Sequence, residues 1–322
     1  MDEGVISRRQ FLRGSAVVAG LTATRGLTSD GIAAAAPAHC RWGVMATPRS
    51  GETWREAITH LEGKVGRRFS IIRRYHLWDS ALPTKFETWY SSHGRTPYVA
   101  WHAFDSSQKP IHWASIAAGN HDAWIRYQAR SLKRWGRPMY FSFHHEPEND
   151  VSRCGDPRDF VAAWNHIRRV FASVHVPHLS WVVTLMASTY AGNDGGPKAW
   201  LPAQYRHLGV DGYNRGPCAG NDQWRTFSEI FGDARRFARY HRKGLFIGEF
   251  GCVEQDACNN NGGDPGAKAR WFDHARSTIK SWPEIRAACY SHTATSGNAY
   301  WVDSSAGSLK AYRQMGLDPY FA

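Results

Sequence analysis

The sequence lacks several features that define common protein classes. It has no run of 18 apolar residues, which excludes a transmembrane helix. It has no cysteine pair at C-x-x-C spacing, which argues against a metal site made of cysteines. No Gly-x-Gly-x-x-Gly motif follows an early strand, which argues against a dinucleotide-binding fold. The 322 residues are 42% hydrophobic and include 15 Trp, 13 Tyr, 15 Phe and 16 His, so we expect a large core and a cleft rich in aromatic and histidine side chains.

The first residues have the pattern of an export signal. Residues 7–13 read SRRQFLR, and a weakly apolar stretch at 14–21 and a run of alanines at 33–36 follow. This order resembles the twin-arginine export signature, with the alanines as a cleavage zone. We predict that residues 1–37 are a signal peptide and that the protein is secreted by the twin-arginine pathway. No long linker or repeat follows, which predicts one domain over residues 38–322.

The chain is strongly basic, with 40 Lys and Arg against 28 Asp and Glu and a formal net charge of +12. Such an excess can indicate a nucleic-acid partner or an anionic surface. The arginines are scattered, however, as in Arg73-Arg74 and Arg235-Arg236, and no zinc-finger or RNA-binding signature accompanies them. We interpret the charge as mostly a solvated surface that suits acidic cell-wall polymers. We expect a monomer with no nucleic-acid or membrane partner.

Short apolar runs alternate with amphipathic segments along the predicted domain. The predicted strands are 42–45, 69–75, 98–102, 139–143, 179–185, 210–213, 245–250 and either 287–291 or 299–302. The predicted helices are 52–65, 122–135, 157–174, 223–241 and 267–282. This alternation favours an α/β fold of parallel strands joined by crossover helices, and its length favours a single-domain (β/α)8 barrel, or TIM barrel.

Chemistry in such a barrel lies at the carboxyl ends of the strands, and two glutamates occupy such positions. Glu146 follows the fourth apolar run. Glu249 lies in the seventh, where an unpartnered charge would be costly. Paired carboxylates across a cleft catalyse glycoside hydrolysis, one as proton donor and the other as nucleophile. We predict Glu146 as the acid/base and Glu249 as the nucleophile, about 5–5.5 Å apart, the spacing of a retaining enzyme.

Glutamates on the fourth and seventh strands resemble the retaining glycoside hydrolases of clan A. The sequence HEP at 145–147 is similar to glycoside hydrolase family 26, the β-mannanase family. A second match is GVDGYN at 209–214, which is similar to the strand-six segment of that family. The resemblance implies that Tyr213 hydrogen-bonds the nucleophile Glu249. It also implies that Trp301 forms the floor of the central sugar subsite.

Aromatic and histidine side chains near other strand ends complete the predicted site. Aromatic side chains at a rim commonly stack on sugar faces, and for Trp78 and Trp101 packing beneath loops is an equal alternative. Neighbouring side chains on a strand point to opposite faces, and His145 rather than His144 is assigned to the site. The residues assigned to substrate binding are His76, Trp78, Trp101, His145, Asp211, Tyr213 and Trp301. We expect no metal and no cofactor, because no helical His-x3-His spacing is present and sugar cleavage by two carboxylates needs neither.

The sequence therefore predicts a secreted, endo-acting retaining β-glycosidase whose partner is a polysaccharide or oligosaccharide substrate, with a β-mannan as the first choice. The first alternative keeps the mechanism and changes the sugar to a β-1,3-xylan, a β-glucan or a cell-wall glycan. The second alternative is an inactive barrel that only binds sugar. The presence of both glutamates counts against it.

Six cysteines follow the signal, and an even number in an exported protein indicates disulfides. The first predicted bridge joins the strands that meet where the barrel closes, the second joins two loops of the catalytic face, and the third lies within one loop. The predicted pairs are Cys40–Cys289, Cys154–Cys218 and Cys252–Cys258.

Overall fold

A computed structural model of the chain describes residues 40–216, 223–255, 263–295 and 297–322. All of them belong to one compact unit, Ala36–Ala322. Eight parallel strands form a closed barrel in which each strand pairs with its neighbours in sequence and the last pairs with the first. Helices follow the strands and cover the outside. The predicted (β/α)8 barrel is therefore confirmed.

The barrel strands are β1 (Arg41–Ala46), β2 (Ile71–His76), β3 (Thr96–Trp101), β4 (Met139–Phe143), β5 (Leu179–Met186), β6 (His207–Asn214), β7 (Gly244–Cys252) and β8 (Ile285–His292). The helices are α1 (Trp54–Val65), α2 (Lys85–Ser92), α3 (Trp113–Ala117), α4 (Asp122–Trp135), α5 (Val151–Cys154), α6 (Pro157–Val174), α7 (Ala187–Tyr190), α8 (Phe227–Tyr240), α9 (Ala267–Ser281) and α10 (Ala306–Leu317). The smaller elements are the 3-10 turns Pro147–Asp150 and Pro197–Trp200 and the hairpin of β9 (Ala294–Thr295) with β10 (Asn298–Ala299). In the part of the chain that the structure describes, no helix has the length and apolar character needed to cross a membrane.

The predicted strands overlap the observed ones, and the candidate at 287–291 is the eighth strand. The other candidate, 299–302, begins in the β9–β10 hairpin and continues into the segment beyond it. The prediction missed α2 and α10 and the three short helices α3, α5 and α7. Helix α2 has only 8 residues, and its signal is local: Thr84 and Glu87 form a capping box at its start.

Local sequence also sets where the long helices begin. Thr53 and Glu56 form a capping box at the start of α1. Asp156 caps α6 in the same way, and the proline that follows it suits the first helical turn, where its missing N–H costs nothing. The apolar faces of these helices join the large core on the outside of the barrel, so the strands are covered on both sides.

Side chains fill the inside of the barrel. Its apolar layer consists of Ile71, Tyr98, Val182, Phe246, Ala287 and Cys289. Next to this layer the interior becomes polar, with Arg73, Thr184 and Asp211 all buried. The two regions are linked by a hydrogen bond of 2.6 Å between the Tyr98 hydroxyl and Thr184 Oγ1.

A β-bulge in β7 directs Glu249 into the barrel. The register with β6 skips one residue of β7, Gly248, just before Glu249. Side chains alternate along a strand, so after the inward-facing Phe246 a regular strand would turn Glu249 outward. The extra residue reverses this, which is a common use of a bulge. Only glycine fits at the bulge, because a Cβ there would clash with Asp211 Oδ1 and Arg73 Nη1.

The predicted bridge between Cys40 and Cys289 is wrong. Strands β1 and β8 do meet at the closure, but their register places Cys289 opposite Gly43, three residues beyond Cys40. At about 3.3 Å per residue this offset exceeds the roughly 4.4–6.8 Å between Cα atoms that a disulfide allows. Cys289 also packs inside the barrel and Cys40 packs outside it. Both are buried free thiols.

The other two predicted bridges each involve one cysteine outside the described residues. Cys154 and Cys252 are described, and both are buried free thiols. Their predicted partners, Cys218 and Cys258, lie outside the described residues. The structure therefore contains no disulfide among the cysteines that it describes, and the expected disulfide framework is not supported.

Candidate active site

Glu146 lies in the loop that leaves β4, and backbone contacts fix its position. Its amide donates to the Thr184 carbonyl oxygen at 3.0 Å, and its own carbonyl accepts from the Asn149 amide at 3.1 Å. Its φ of 48° lies in the left-handed region, which few residues other than glycine adopt. Such strain persists where surrounding structure imposes it, often at a functional site. The Asn149 side-chain amide also donates to Glu146 Oε2 at 2.9 Å, which orients the carboxyl group.

Glu249 is 6% exposed and is surrounded by donors. Arg73 Nη2 lies 2.8 Å from Glu249 Oε1, and the Tyr75 hydroxyl donates to the same oxygen. The Tyr213 hydroxyl donates to Oε2, and Ser291 Oγ donates to that oxygen at 3.4 Å. The hydrogen bond that the family resemblance implies between Tyr213 and Glu249 is present. Together the four groups fix the carboxylate in one orientation.

Arg73 joins two carboxyl groups in the centre of the barrel. Its side chain is fully buried, and Nη2 lies 2.9 Å from Asp211 Oδ2 as well as 2.8 Å from Glu249 Oε1. The rings of Tyr75 and Tyr98 lie 5.3 and 4.6 Å from the guanidinium carbon, within cation–π range. A buried charge of this kind is tolerated only because it is paired.

The two glutamates favour opposite protonation states. Burial raises the pKa of Glu146 to about 8, and the negative charges of Glu249 and Glu148 act in the same direction. Burial alone would also raise the pKa of Glu249, but the charge of Arg73 and the hydrogen bonds from two tyrosines lower it below its usual value. At neutral pH Glu146 is therefore protonated and Glu249 ionised. A general acid and a nucleophile need that division.

Asp211, which was assigned to substrate binding, contacts Glu249 through a hydrogen bond between the two carboxyl groups. Burial raises the pKa of Asp211 well above its usual value, the charge of Arg73 opposes this rise, and the negative charge of Glu249 adds to it. The same hydrogen bond lowers the pKa of Glu249. Of the two carboxyl groups, Asp211 is thus the one whose protonated form is favoured, and it helps to keep Glu249 ionised.

His145 lies against the carboxylate of Glu249. Its Nε2 is 3.7 Å from Glu249 Oε1, and its ring stacks on Tyr75 with the ring centres 4.8 Å apart. Burial lowers the pKa of His145 well below its usual value, and the nearby charges of His102 and Arg73 act in the same direction. The imidazole is therefore neutral, and it lies against the carboxylate of Glu249 without adding a positive charge to it.

His144 points away from the site, as the alternation along the chain predicts. Its Nε2 lies 2.9 Å from Asp150 Oδ2, and its Nδ1 accepts a hydrogen bond of 3.2 Å from the Trp113 indole. His144 is fully buried. Its role is to hold the loop after β4 against the core.

The assignment of His76 to substrate binding is wrong. The side chain is buried and its Nε2 lies 3.0 Å from Glu87 Oε1 on α2. Burial opposes ionisation of Glu87, but the contact with His76 and the hydrogen bonds from Thr84 lower the pKa of Glu87 to about 2. His76 therefore ties the end of β2 to the capping box of α2, on the outside of the barrel.

The assignments of Trp78 and Trp101 are also wrong. Their rings stack on each other with centres 4.3 Å apart and an angle of 3° between the planes. Trp78 is 5% exposed, Trp101 is fully buried, and the Trp101 indole donates to the Trp78 carbonyl oxygen. The faces that would bind sugar are covered by protein, so both belong to the core.

Trp301 is partly exposed and lies just beyond the β9–β10 hairpin. Its ring lies under the guanidinium of Arg49 at 4.5 Å and beside His292, with the ring centres 4.8 Å apart. The neighbouring Tyr300, rather than Trp301, lines the cavity that contains Glu146 and Glu249. The role of Trp301 as a sugar platform stays a prediction.

A cavity of about 600 Å³ opens where the strands end, within the roughly 300–1,000 Å³ of ligand sites. Both predicted catalytic residues line it, and so do Asp211, Tyr213 and Tyr300. The cavity therefore brings together Glu146 and Glu249, with Asn149 beside the first and the tyrosines beside the second.

Sequence reasoning missed Arg73, Tyr75 and Glu148. The interpretation of Arg73 as a solvated cation is wrong, because the side chain is fully buried. A signal was present: Arg73 and Tyr75 share one face of a predicted strand, and an inward arginine requires a carboxylate partner. Glu148 is also buried, and its Oε1 accepts from Thr189 Oγ1 at 2.6 Å. Burial raises the pKa of Glu148 to about 7.

Among the residues that the structure describes, one group of side chains has the ligand types and spacing to coordinate a metal ion. His145, Asp211 and Glu249 each offer one ligand atom, and these atoms lie within 4.8 Å of one another. Arg73 already contacts both carboxyl groups, and its fixed positive charge would repel a second cation. The residues therefore fit a metal poorly, and the expected absence of a metal stays a prediction.

Comparison with known proteins identifies the N-terminal segment. Residues 5–24 match the family model of the twin-arginine translocation pathway signal sequence. The chain carries a twin-arginine export signal. This match confirms the predicted export route. The matched residues themselves lie outside the described part of the chain.

Several solved structures have the same fold as the barrel. The catalytic domain of a family 26 endo-β-1,4-mannanase from Bacillus sp. JAMB-750 is 12% identical, with a TM-score of 0.62 over 88% of this chain and 87% of that one. A ruminal family 26 endo-β-1,4-mannanase is 14% identical, with a TM-score of 0.60 over 88% and 64%. A β-mannanase from a symbiotic protist of the termite Reticulitermes speratus, complexed with a gluco-manno-oligosaccharide, is 15% identical, with a TM-score of 0.58 over 88% of each chain. The barrel therefore has the fold of the family 26 mannanases.

A curated relative shows similarity at the level of sequence. Endoglucanase H of Acetivibrio thermocellus is 24% identical over 272 residues, which are 80% of this chain. The chain spans 28% of the length of that relative. The similarity links the chain to glycoside hydrolases, and what the chain itself cleaves is a separate question.

Proposed function

We propose that the chain is an exported retaining endo-β-glycosidase in which Glu146 is the acid/base and Glu249 the nucleophile. One observation carries the proposal: the two glutamates line one cavity, and their pKa values are displaced in opposite directions. Two carboxyl groups kept in different protonation states are what double displacement at an anomeric carbon requires. We propose a β-mannan as the first substrate, because the barrel shares its fold with endo-β-1,4-mannanases.

In the first step the Glu249 carboxylate attacks the anomeric carbon while Glu146 gives its proton to the leaving oxygen. The glycosidic bond breaks, and a covalent glycosyl-enzyme forms through a Glu249 oxygen. In the second step Glu146, now ionised, removes a proton from water, the water oxygen attacks the same carbon, and Glu249 leaves as a carboxylate. Both glutamates return to their starting states.

The surrounding groups suit this cycle. Arg73 and the hydroxyls of Tyr75 and Tyr213 stabilise Glu249 before attack and after release, when it carries its charge. Glu146 gains a negative charge when the covalent ester removes that of Glu249. The pKa of Glu146 then falls, because the charge that raised it has been neutralised. The same group can therefore serve as an acid first and as a base afterwards.

The experiment that tests the proposal measures reducing ends released from a panel of polysaccharides. The panel contains β-1,4-mannan, glucomannan, mixed-linkage β-glucan, β-1,3-xylan and bacterial cell-wall glycan, and the Glu249→Gln variant is the matched control. We expect release from the mannans by the unmodified enzyme and none by the variant. Binding of a polysaccharide without cleavage by the unmodified protein would instead identify a sugar-binding barrel.

A second candidate substrate is a β-glucan. The observation that favours it is the relative named Endoglucanase H, which matches 80% of this chain. Cleavage of the mixed-linkage glucan but not of the mannans would select this alternative and leave the assignment of the two glutamates unchanged.

A further inference from the structure

Four basic side chains lie at the end of the barrel opposite the catalytic cavity. Arg206 immediately precedes β6, Arg242 and Lys243 immediately precede β7, and Arg286 is the second residue of β8. These three strands are neighbours and run parallel, so their starts meet at one edge. We call the four residues the back-face cluster.

Three of the four positive charges act on the same side chain, His207. His207, the first residue of β6, has a pKa lowered to about 4 by burial and by the charges of Arg206, Arg286 and Lys243. A Cβ at Gly244 would lie 3.1 Å from His207 Nδ1 and 2.9 Å from Arg286 Cγ. The absence of a side chain at this position lets Arg286 extend across the start of β7 towards His207.

The cluster has more basic than acidic side chains around it in the part of the chain that the structure describes. None of its four members forms an ion pair there. Glu284, the acid next to it in sequence, is held by Arg235 at 3.3 Å and by Arg239 at 3.1 Å. The cluster therefore carries a surplus of positive charge, in contrast to Arg73 at the other end of the barrel.

The surface at the cluster is concave, and an exposed aromatic residue precedes Arg242 by two positions in the sequence. A cavity of about 340 Å³ is lined by Arg242, Lys243 and Arg286 of the cluster, and also by Arg239 and Glu284, which pair with each other. Tyr240, the last residue of α8, is 81% exposed. A solvent-exposed aromatic ring can stack on the apolar face of a sugar, and the cations beside it can pair with acidic groups along the same polymer.

We propose that the back-face cluster binds an anionic polysaccharide, a glycan that carries carboxylate or phosphate groups. Charge complementarity selects a polyanion, and the exposed Tyr240 favours one built of sugars. The export signal places the chain where such polymers occur and where nucleic acid is not its main partner. Binding at this face leaves the catalytic cavity, at the other end of the strands, free for a separate substrate.

The test compares two charge-matched triple variants of the exported chain. The first is Arg206→Gln, Lys243→Gln and Arg286→Gln. The control is Arg158→Gln, Lys198→Gln and Lys310→Gln, which removes three exposed cations from other elements and gives the same net charge. Affinity electrophoresis measures binding to polygalacturonate, to a glycerol-phosphate teichoic acid and to neutral glucomannan, and thermal unfolding checks that both variants are folded.

We expect the unmodified protein to bind at least one of the two anionic polymers, with a salt-sensitive affinity. The cluster variant should bind it roughly tenfold more weakly, because three exposed ion pairs are lost, and the control variant should bind as before. Equal losses in the two variants would overturn the proposal by showing an effect of net charge alone. So would binding to vesicles of phosphatidylglycerol through the same residues with no binding to either glycan.

Discussion

Arg73 and Glu249 form a buried ion pair, with Arg73 Nη2 2.8 Å from Glu249 Oε1. A carboxylate 6% exposed would take up a proton if it had no such partner. The ionised form of Glu146 is not stabilised to the same extent. Burial and the neighbouring carboxyl groups raise the pKa of Glu146 by more than the charges of Arg73 and Arg215 lower it. The site thus distinguishes two chemically identical side chains by their surroundings.

The pH dependence of kcat/KM should be bell-shaped, with its alkaline limb near the Glu146 pKa of about 8. Glu146 must be protonated to act as the acid, so activity is retained below this value and lost as the pH rises through it. Glu249 must be ionised, and its lowered pKa places the acidic limb at a lower pH than an ordinary glutamate would. Steady-state rates across the pH range measure both limbs.

The Glu148→Gln variant provides an internal check on that profile. Glu148 has a pKa of about 7, so it is largely ionised near pH 8, and its charge raises the pKa of Glu146. Its removal should shift the alkaline limb to lower pH. An unchanged limb would show that another group controls it.

Substitution of each glutamate should affect substrates differently. Glu146→Gln should lower kcat on a polysaccharide by about 10²–10⁴, the usual contribution of a general acid. It should spare the first step for an aryl glycoside whose leaving group is already acidic. Glu249→Gln should abolish turnover of both substrates. NMR of the early products of the unmodified enzyme should show that the β-anomer is formed first. Equal losses of both variants on the aryl glycoside would contradict this division of roles.

Tyr213→Phe should weaken catalysis without unfolding the protein. The variant removes a hydrogen bond to ionised Glu249, and such bonds contribute about 1.5–3 kcal/mol, which corresponds to roughly ten- to a hundredfold in rate. The acidic limb of the pH profile should also move to higher pH, because that hydrogen bond lowers the pKa of Glu249. The matched control is Tyr312→Phe, since the Tyr312 hydroxyl is buried and has no partner among the described residues. A similar loss in both variants would indicate a general effect on the core.

The sequence revealed the fold and the two glutamates because both depend on local pattern. The position of Glu146 and Glu249 relative to apolar runs is readable without knowing any tertiary contact. The direction in which Glu249 points is not, since it depends on the bulge at Gly248, and a strand pattern gives no register. Burial of Trp78 and Trp101 likewise depends on segments that come together only in the folded barrel.

Trp78→Ala should therefore reduce stability rather than substrate affinity. The substitution removes a buried ring stacked on Trp101 and leaves a cavity, which costs about 3–5 kcal/mol for an aromatic residue of the core. Thermal or denaturant unfolding measures the loss, and KM for the polysaccharide should stay unchanged at a temperature where the variant is folded. A raised KM with unchanged stability would restore the sugar-platform assignment.

Cys40 and Cys289 should both be alkylated in protein that has been denatured without reduction. The register of β1 with β8 places Cys289 opposite Gly43, on the inner face of the barrel, so the two sulfurs cannot meet. In the folded protein both thiols should resist alkylation, because burial raises the pKa of Cys289 to about 12 and raises that of Cys40 as well, and the thiolate is the reactive form. Peptide mapping after labelling with and without denaturant distinguishes the two states.

A tryptic peptide pair linked through Cys40 and Cys289 would require a different register at the closure of the barrel. Strands β1 and β8 are paired at six positions, from Arg41 with Ala287 to Ala46 with His292. A shifted register would therefore move all of β8 relative to β1, including Ser291, which donates to Glu249.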